Sequence, residues 1–424
     1  MIKVNKIQKI LKSKVFKNGI WLTILQFVNT IIPVLTVPYI TRILGTEEYG
    51  NFSIALNWIL YFQVLVEFGF GLSGARKVAL INDENELEKL FDNIISSRIL
   101  LFLISFALLN IVSLISGFNL KIYVCMLLLF IMILGTTFQL TWLFQGKQDM
   151  KFITITNVIS RVVSVVLIFL LVKSKNDLYV YCILYSITLF LSSVISMIVA
   201  RKKYNLSFHF SKIYDIKNEI NDGKYLFASS AIIKIFSGFG ITVLGIVSTS
   251  SKTGIYSAIY KIPYILTMFF SPISQAIFPY NSAKFKDNFI KGINNVRKIC
   301  IPIFIIFFMC GFLIIILKNI IVNILFGAKY EPYSIIVIPL VIQFLLAIVN
   351  NFLGIQTLIA SGNQKGYSEC LSIGCVAIVL FNIILGSIFD LYGVALAAAL
   401  GELILTISLL IKCKKLINKY SNVL

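Results

Sequence analysis

Histidine is almost missing from this chain: His209 is the only one in 424 residues. A histidine-based catalytic triad or a His/Cys zinc centre therefore lacks its parts. Cysteine does not replace it. Of the seven, Cys125, Cys182, Cys310, Cys370 and Cys375 fall inside apolar runs, Cys300 at the edge of one and Cys413 near the C-terminal end, without paired-ligand spacing. A Gly-x4-Gly-Lys-Ser/Thr loop for nucleotide phosphates is absent, which excludes ATP hydrolysis by the chain itself. Charge is scarce too, at 13% of residues against about 25% in a soluble domain. A soluble chain of this length needs two or three cores, and there is too little polar surface here to cover them. Nothing in this list of absences looks like an enzyme.

What fills the space is apolar. Hydrophobic residues make up 58% of the chain, in runs of about 20. Such runs cross a hydrocarbon core of roughly 30 Å as helices. Barrel strands would be about ten alternating residues, so the expected fold is an all-α polytopic membrane protein. Twelve spans are expected, near 19–40, 51–74, 94–116, 122–144, 153–172, 179–200, 223–247, 255–279, 299–317, 335–360, 367–388 and 393–411. The first run begins near Gly19 and is longer than a signal-peptide core, so no cleaved signal is expected.

The chain also repeats itself. At an offset of 204 residues, Gly19 falls on Gly223, Thr46 on Ser250, Gly50 on Gly254, Phe52 on Tyr256 and Ser53 on Ser257. A second echo pairs Gly146-x-Gln148 and Asp177-Leu178-Tyr179 with Gly362-x-Gln364 and Asp390-Leu391-Tyr392. The expected organisation is a basic N-terminal arm (1–18), an N-lobe of six spans (19–200), a linker (201–222), a C-lobe of six spans (223–411) and a tail (412–424). An even number of spans per half gives both copies one orientation, related by an axis along the membrane normal.

Cations decide which side faces the cytoplasm. Of 38 Lys and Arg, 26 lie in the arm, the tail and the connections 75–93, 145–152, 201–222, 280–298 and 361–366. Seven lie in the alternate connections and five inside spans. Both termini are therefore expected in the cytoplasm. The net charge of +20 is read as these topological cations meeting anionic headgroups, not as a nucleic-acid surface. The arm suits a short amphipathic helix on the inner leaflet. The acids Asp83, Glu84, Glu86 and Glu88 read as a solvated face of the loop after the second span.

Ionisable residues inside spans are costly and usually face a partner or a cavity. Arg161 lies in the fifth span, Lys234 in the seventh and Lys261 in the eighth. Arg98 is early in the third, near enough to the cytoplasm to snorkel, with pairing inside the bundle as the alternative. The acids are Glu67, toward the cytoplasmic end of the second span, and Glu402 in the twelfth. Three deep cations against two acids suit a water-filled cavity that attracts an anionic substrate; a diphosphate would match, with arginine offering a bidentate fork. Pro33 and Pro38 are expected to interrupt the first helix and Pro263, Pro272 and Pro279 the eighth, either as inert kinks or as breaks beside a cavity.

The segments VPYITRILGTEEYGNFSIA (37–55), VEFGFGLSGARKVA (66–79), WLFQGKQDMKF (142–152), ILFGAKYEPYS (324–334), LIASGNQK (358–365) and YGVALAAAL (392–400) resemble, in that order, the Wzx-type polysaccharide flippases. The resemblance implies membership in the multidrug/oligosaccharidyl-lipid/polysaccharide exporter superfamily, with two six-helix lobes of the MATE type around a central cavity. It implies a substrate, an oligosaccharide repeat unit of O-antigen or capsule linked by pyrophosphate to undecaprenol, carried across a bacterial inner membrane by alternating access. It also implies a polysaccharide polymerase and a chain-length regulator as pathway partners, alongside membrane lipids. Glu67 matches an acidic position of the family and Arg42 its basic position at the outer end of the first helix, whereas Arg161, Lys234 and Lys261 rest on the charge argument alone; with Arg98 and Arg42 these three make up the candidate substrate-binding residues. No cofactor is expected; proton or sodium coupling through Glu67 or Glu402 is the corresponding expectation. Two alternatives stand: a drug/cation antiporter of the same superfamily, which should centre on deep acids, and a membrane-embedded polymerase, for which the longest external connection, 318–334, is short.

Overall fold

The structure, a computed structural model, describes residues Lys14–Ser421. Most of the basic arm and the last residues of the tail lie outside them, and with them the expected amphipathic helix. In chain order the α-helices are α1 (Lys14–Glu67), α2 (Phe70–Leu80), α3 (Glu84–Ser116), α4 (Leu120–Leu129), α5 (Ile131–Phe138), α6 (Thr141–Gly146), α7 (Met150–Leu171) and α8 (Leu178–Tyr204). Then come α9 (Ile213–Val247), α10 (Ser250–Ile259), α11 (Lys261–Asp287), α12 (Phe289–Ile316), α13 (Lys318–Phe326), α14 (Val337–Asn350) and α15 (Gln364–Ser421), with a π-helix at Asn351–Ile359. The described residues hold no strand. Helices shed large apolar side chains outward: Leu114 is 83% and Ile115 80% exposed, the reverse of a water-soluble surface.

Ten helical stretches among the described residues are long and apolar enough to span a bilayer. Two are far longer than one crossing, Lys17–Leu80 with 64 residues and Gln364–Asn418 with 55. At about 1.5 Å per residue each exceeds a roughly 30 Å core more than twice over. Each is bent where the sequence reading places a connection. Gly45 breaks α1 with φ 76° and ψ −179°, a conformation open essentially to glycine. Asp390 breaks α15 with φ 56° and ψ −135°. It is held there by hydrogen bonds that Ser248 and Lys252 donate to its carboxylate.

Of the two readings of the prolines, the helices follow the first: they run on through them. α1 runs through Pro33 and Pro38 and leaves helical geometry only at Gly45. Pro263 sits in the first turn of α11, where its missing N–H costs no hydrogen bond, and Pro272 and Pro279 are carried inside that helix.

The helices pack into two compact units. One takes the chain up to Thr36 and then Ile54–Lys234; the other takes Val37–Ser53 and then Ile235 onward. These boundaries differ from a cut in the 201–222 connection, because 37–53 joins the second unit and 213–234, helical from Ile213, the first. The first unit is centred on Trp142, fully buried against Phe91, with Gly74 close beneath it. The second is centred on Phe270, whose ring meets Phe307 and Phe352 edge-on at 5.6 and 5.7 Å.

Within the second unit the repeated stretches touch each other. A methyl group on Gly50 would strike the carbonyl of Ser250, and one on Gly254 would strike the carbonyl of Thr46. Ser251 Oγ donates to Thr46 Oγ1 at 2.8 Å. Since Thr46 is the counterpart of Ser250 and Gly50 of Gly254, the contact is reciprocal, as across a local two-fold axis. Small residues allow this approach where a bilayer supplies no hydrophobic drive between helices.

Side-chain contacts join connections that the charge bias puts on one side. In the first unit Lys77 reaches Glu219 (2.8 Å) and Asp222 (2.9 Å), Lys203 pairs with Asp149, and Asn18 donates to the Gln148 carbonyl at 2.9 Å. The acidic cluster is only partly a solvated face: Asp83, Glu84 and Glu86 are exposed, but Glu88 accepts from Ser207 Oγ at 2.9 Å.

Candidate functional site

Two of the predicted basic residues are tied to backbone. Arg98 does not snorkel. It is 2% exposed, and its Nη1 donates to the carbonyls of Thr136 (3.2 Å) and Gln139 (2.7 Å). Those carbonyls lie where α5 ends and the chain leaves helical geometry at Gln139 and Leu140 before α6. A guanidinium offers donors in fixed directions, so it can satisfy both acceptors freed by the break. Its charge lies 5.9 Å from the Phe70 ring centroid, and Glu67 acts on it electrostatically. Glu67 is exposed at the last position of α1, before the left-handed residues Phe68 and Gly69. Arg42 is exposed on α1, three residues before the break, and donates to the carbonyls of Asn323 and Ile324 in the last turn of α13, a cation at a helix C-terminus.

The remaining cations are half-buried. Arg161 projects from α7 and Lys234 from α9, both in the first unit. Lys261 opens α11 in the second, its Nζ 5.4 Å from the Tyr264 ring centroid.

Glu402 is the most structured of the acids. It is 6% exposed on α15, and Asn350 Nδ2 donates to its Oε2 at 2.6 Å and to its carbonyl at 3.2 Å. Thr406 Oγ1 in turn donates to Asn350 Oδ1 at 2.7 Å and to the Glu402 carbonyl at 2.8 Å. Tyr260 and Tyr367 are its electrostatic neighbours. A buried carboxylate held by neutral donors can take up and release a proton or a monovalent cation. No group of three or more His, Cys, Asp or Glu side chains converges among the described residues.

A second polar cluster adjoins it and was not read from the sequence. Gln356 on the π-helix is fully buried; its Nε2 donates to the Ser274 carbonyl (2.8 Å) and Oγ (3.0 Å). Its Oε1 accepts from Asn281, whose Oδ1 accepts from Asn295, both at 2.8 Å. Ser274 Oγ donates to Asn351 Oδ1 at 2.7 Å, next in chain to Asn350. Beside this lies a cavity of about 490 Å³ with Phe270, Ser274, Gln275, Asn351 and Ile355 in its wall. The signal was present as the amides of VNNFLGIQ (349–356) in an apolar run, but attention to ionisable groups passes over them. Amides bridge membrane helices by hydrogen bonds without carrying charge, and π-turns concentrate at functional sites.

Outside the spans, Asp177 stands where Asp390 stands in the second echo, with a different task. It caps the connection before α8, and the backbone N–H groups of Lys173 and Ser174 hold its carboxyl below the usual range.

The model of the family described as polysaccharide biosynthesis protein matches residues 15–285, well over half of the chain. The chain belongs to that family. Among its relatives, one of Escherichia coli K12 named for O-antigen transport is 26% identical over 393 residues, 92% of this chain and 94% of the relative. Among solved structures, the inward closed lipid II flippase MurJ superposes with a TM-score of 0.71 at 18% identity, over 94% of this chain and 87% of that one. An inward-facing multidrug resistance MATE transporter of the MOP superfamily superposes at 0.68 and 13% identity, over 93% and 99%. The chain thus has the all-helical fold shared by MOP-superfamily transporters, as its sequence resemblance implied.

Proposed function

We propose that this protein is a flippase that carries undecaprenyl-pyrophosphate-linked oligosaccharide repeat units from the cytoplasmic to the outer leaflet of a bacterial inner membrane by alternating access. The reading rests on family membership together with near full-length similarity to a protein named for O-antigen transport. It includes twelve crossings, six in an N-lobe (19–200) and six in a C-lobe (223–411), with both termini in the cytoplasm. The protein acts on its cargo by moving it, without a catalytic step.

Arg161, Lys234 and Lys261 receive the anionic headgroup. A cation at the centre of a span costs about 2.5–3.5 kcal/mol on insertion scales. Charge-assisted hydrogen bonds to a pyrophosphate offset that cost during transport. Arg98 and Arg42 are each held on backbone carbonyls within their own unit. Proton or sodium coupling is assigned to Glu402, with Glu67 as the other acid in the spans.

The test is a deletion strain complemented with wild type or with Arg161→Ala, Lys234→Ala or Lys261→Ala, scored for the side on which lipid-linked oligosaccharide accumulates. The deletion is expected to trap it on the cytoplasmic leaflet. Each alanine variant, expressed at wild-type level, is expected to lower flipping roughly tenfold, the loss of one charge-assisted bond. If the intermediate reaches the outer leaflet in the deletion strain and only polymer is missing, the protein acts after flipping and the reading fails.

A further inference from the structure

A groove of about 570 Å³ opens in the second unit between α12, the π-helix and the end of α15. That size falls in the range of roughly 300–1,000 Å³ typical of ligand sites. Its wall is hydrocarbon: Val296, Cys300 and Phe304 from α12, Phe352 from the π-helix, Leu410 and Ile411 from α15. Two cations stand with them, Arg297 and Lys414, both exposed. α12 begins at Phe289 and α15 ends at Ser421, so each cation lies near the terminus of its helix that the charge bias assigns to the cytoplasm. From Arg297 to Phe304 the wall descends about 10 Å along α12.

The structure assigns this groove to an anionic glycerophospholipid, its phosphate held by Arg297 and Lys414 and one acyl chain lying along Val296, Phe304, Phe352 and Leu410. The chemistry of the wall selects this occupant. The one hydroxyl among its deeper residues, Thr357, has its donor spent on the Phe352 carbonyl at 2.8 Å, so the deep wall offers a sugar no free hydroxyl donor. Charge sits at the mouth and hydrocarbon behind it, the order of a phospholipid in a leaflet. Basic pockets between membrane helices on the cytoplasmic side bind anionic headgroups for this reason. The groove opens outward through Ile301, 55% exposed, and Leu410, 49% exposed, so a lipid can enter sideways. It backs onto the π-helix through Phe352, and a bound chain would stiffen the segment that carries Gln356 and adjoins Glu402.

The experiment uses the full chain purified in detergent, with bound lipid read by native mass spectrometry after exposure to equal phosphatidylglycerol and phosphatidylcholine. Wild type is expected to retain phosphatidylglycerol preferentially. The double variant Arg297→Gln/Lys414→Gln is expected to lower that preference by on the order of tenfold, from the loss of two headgroup-level cations. Lys202→Gln/Lys217→Gln, which removes equal charge from exposed positions in the first unit, should leave the preference intact. Ile301→Trp, which keeps both cations and fills the open side, should exclude both lipids. Equal retention of the two lipids by wild type overturns the assignment. So does a drop in the Lys202/Lys217 variant as large as in the Arg297/Lys414 variant, which would reveal general charge attraction. Displacement of phosphatidylglycerol from wild type by equimolar undecaprenyl phosphate would give the groove to a polyprenyl chain and overturn it as well.

Discussion

Arg98 and Arg161 are both arginines in apolar spans, and the fold shows what holds Arg98. Arg98 is buried on two backbone carbonyls at the α5–α6 break, so Arg98→Met would strand both acceptors in a water-poor interior. Hydrogen bonds to a charged group are worth about 1.5–3 kcal/mol each. The variant is expected to unfold at lower temperature in detergent and to give a lower folded yield. Arg161→Ala, expressed at wild-type level, is expected to lower transport roughly tenfold. Equal melting temperatures for Arg98→Met and wild type would return Arg98 to the list of substrate ligands. The sequence left Arg98 open between snorkelling and pairing inside the bundle because its acceptors lie about 40 positions away, at a helix break that hydropathy alone does not announce.

At the scale of elements, the reciprocal packing of Gly50 and Gly254 explains why these positions match across the repeat. Each glycine lets the other copy's backbone carbonyl into the space where a Cβ would stand. Gly50→Ala or Gly254→Ala must push α1 and α10 apart, and overpacking of this kind costs about 1–3 kcal/mol. Thermal unfolding should show a drop for each single variant and less than the sum for the pair, because both relieve one contact. Additive drops would mean that the glycines act separately. The helix breaks teach a related lesson. Proline residues were the visible candidates, yet α1 bends at Gly45 and α15 at Asp390. A proline's ring fits a first turn or bends a helix mildly, whereas the break inside each of these two long helices is made by a residue with a positive φ. Asp390 adopts one because Ser248 and Lys252, more than 130 residues away, hold its carboxylate.

At the scale of the molecule, the expected topology is open to a direct measurement. In a cysteine-free background, Lys202→Cys should react with an impermeant maleimide only in inverted vesicles, and Lys252→Cys only in intact cells. The reverse pattern would invert the proposed orientation. The solvent and the helical class could be read from residues in order, because span length and hydropathy act within about 20 residues of chain. The uses of the polar side chains could not. Whether Arg98 holds backbone or faces substrate, whether Glu88 is solvated, and how Asn281, Asn350 and Gln356 knit α11, α14, the π-helix and α15 depend on partners distant in sequence. A membrane helix is specified by its own hydropathy, since its backbone hydrogen bonds close within the segment. Its buried polar groups must find their partners on other helices, and only the packed tertiary structure decides which.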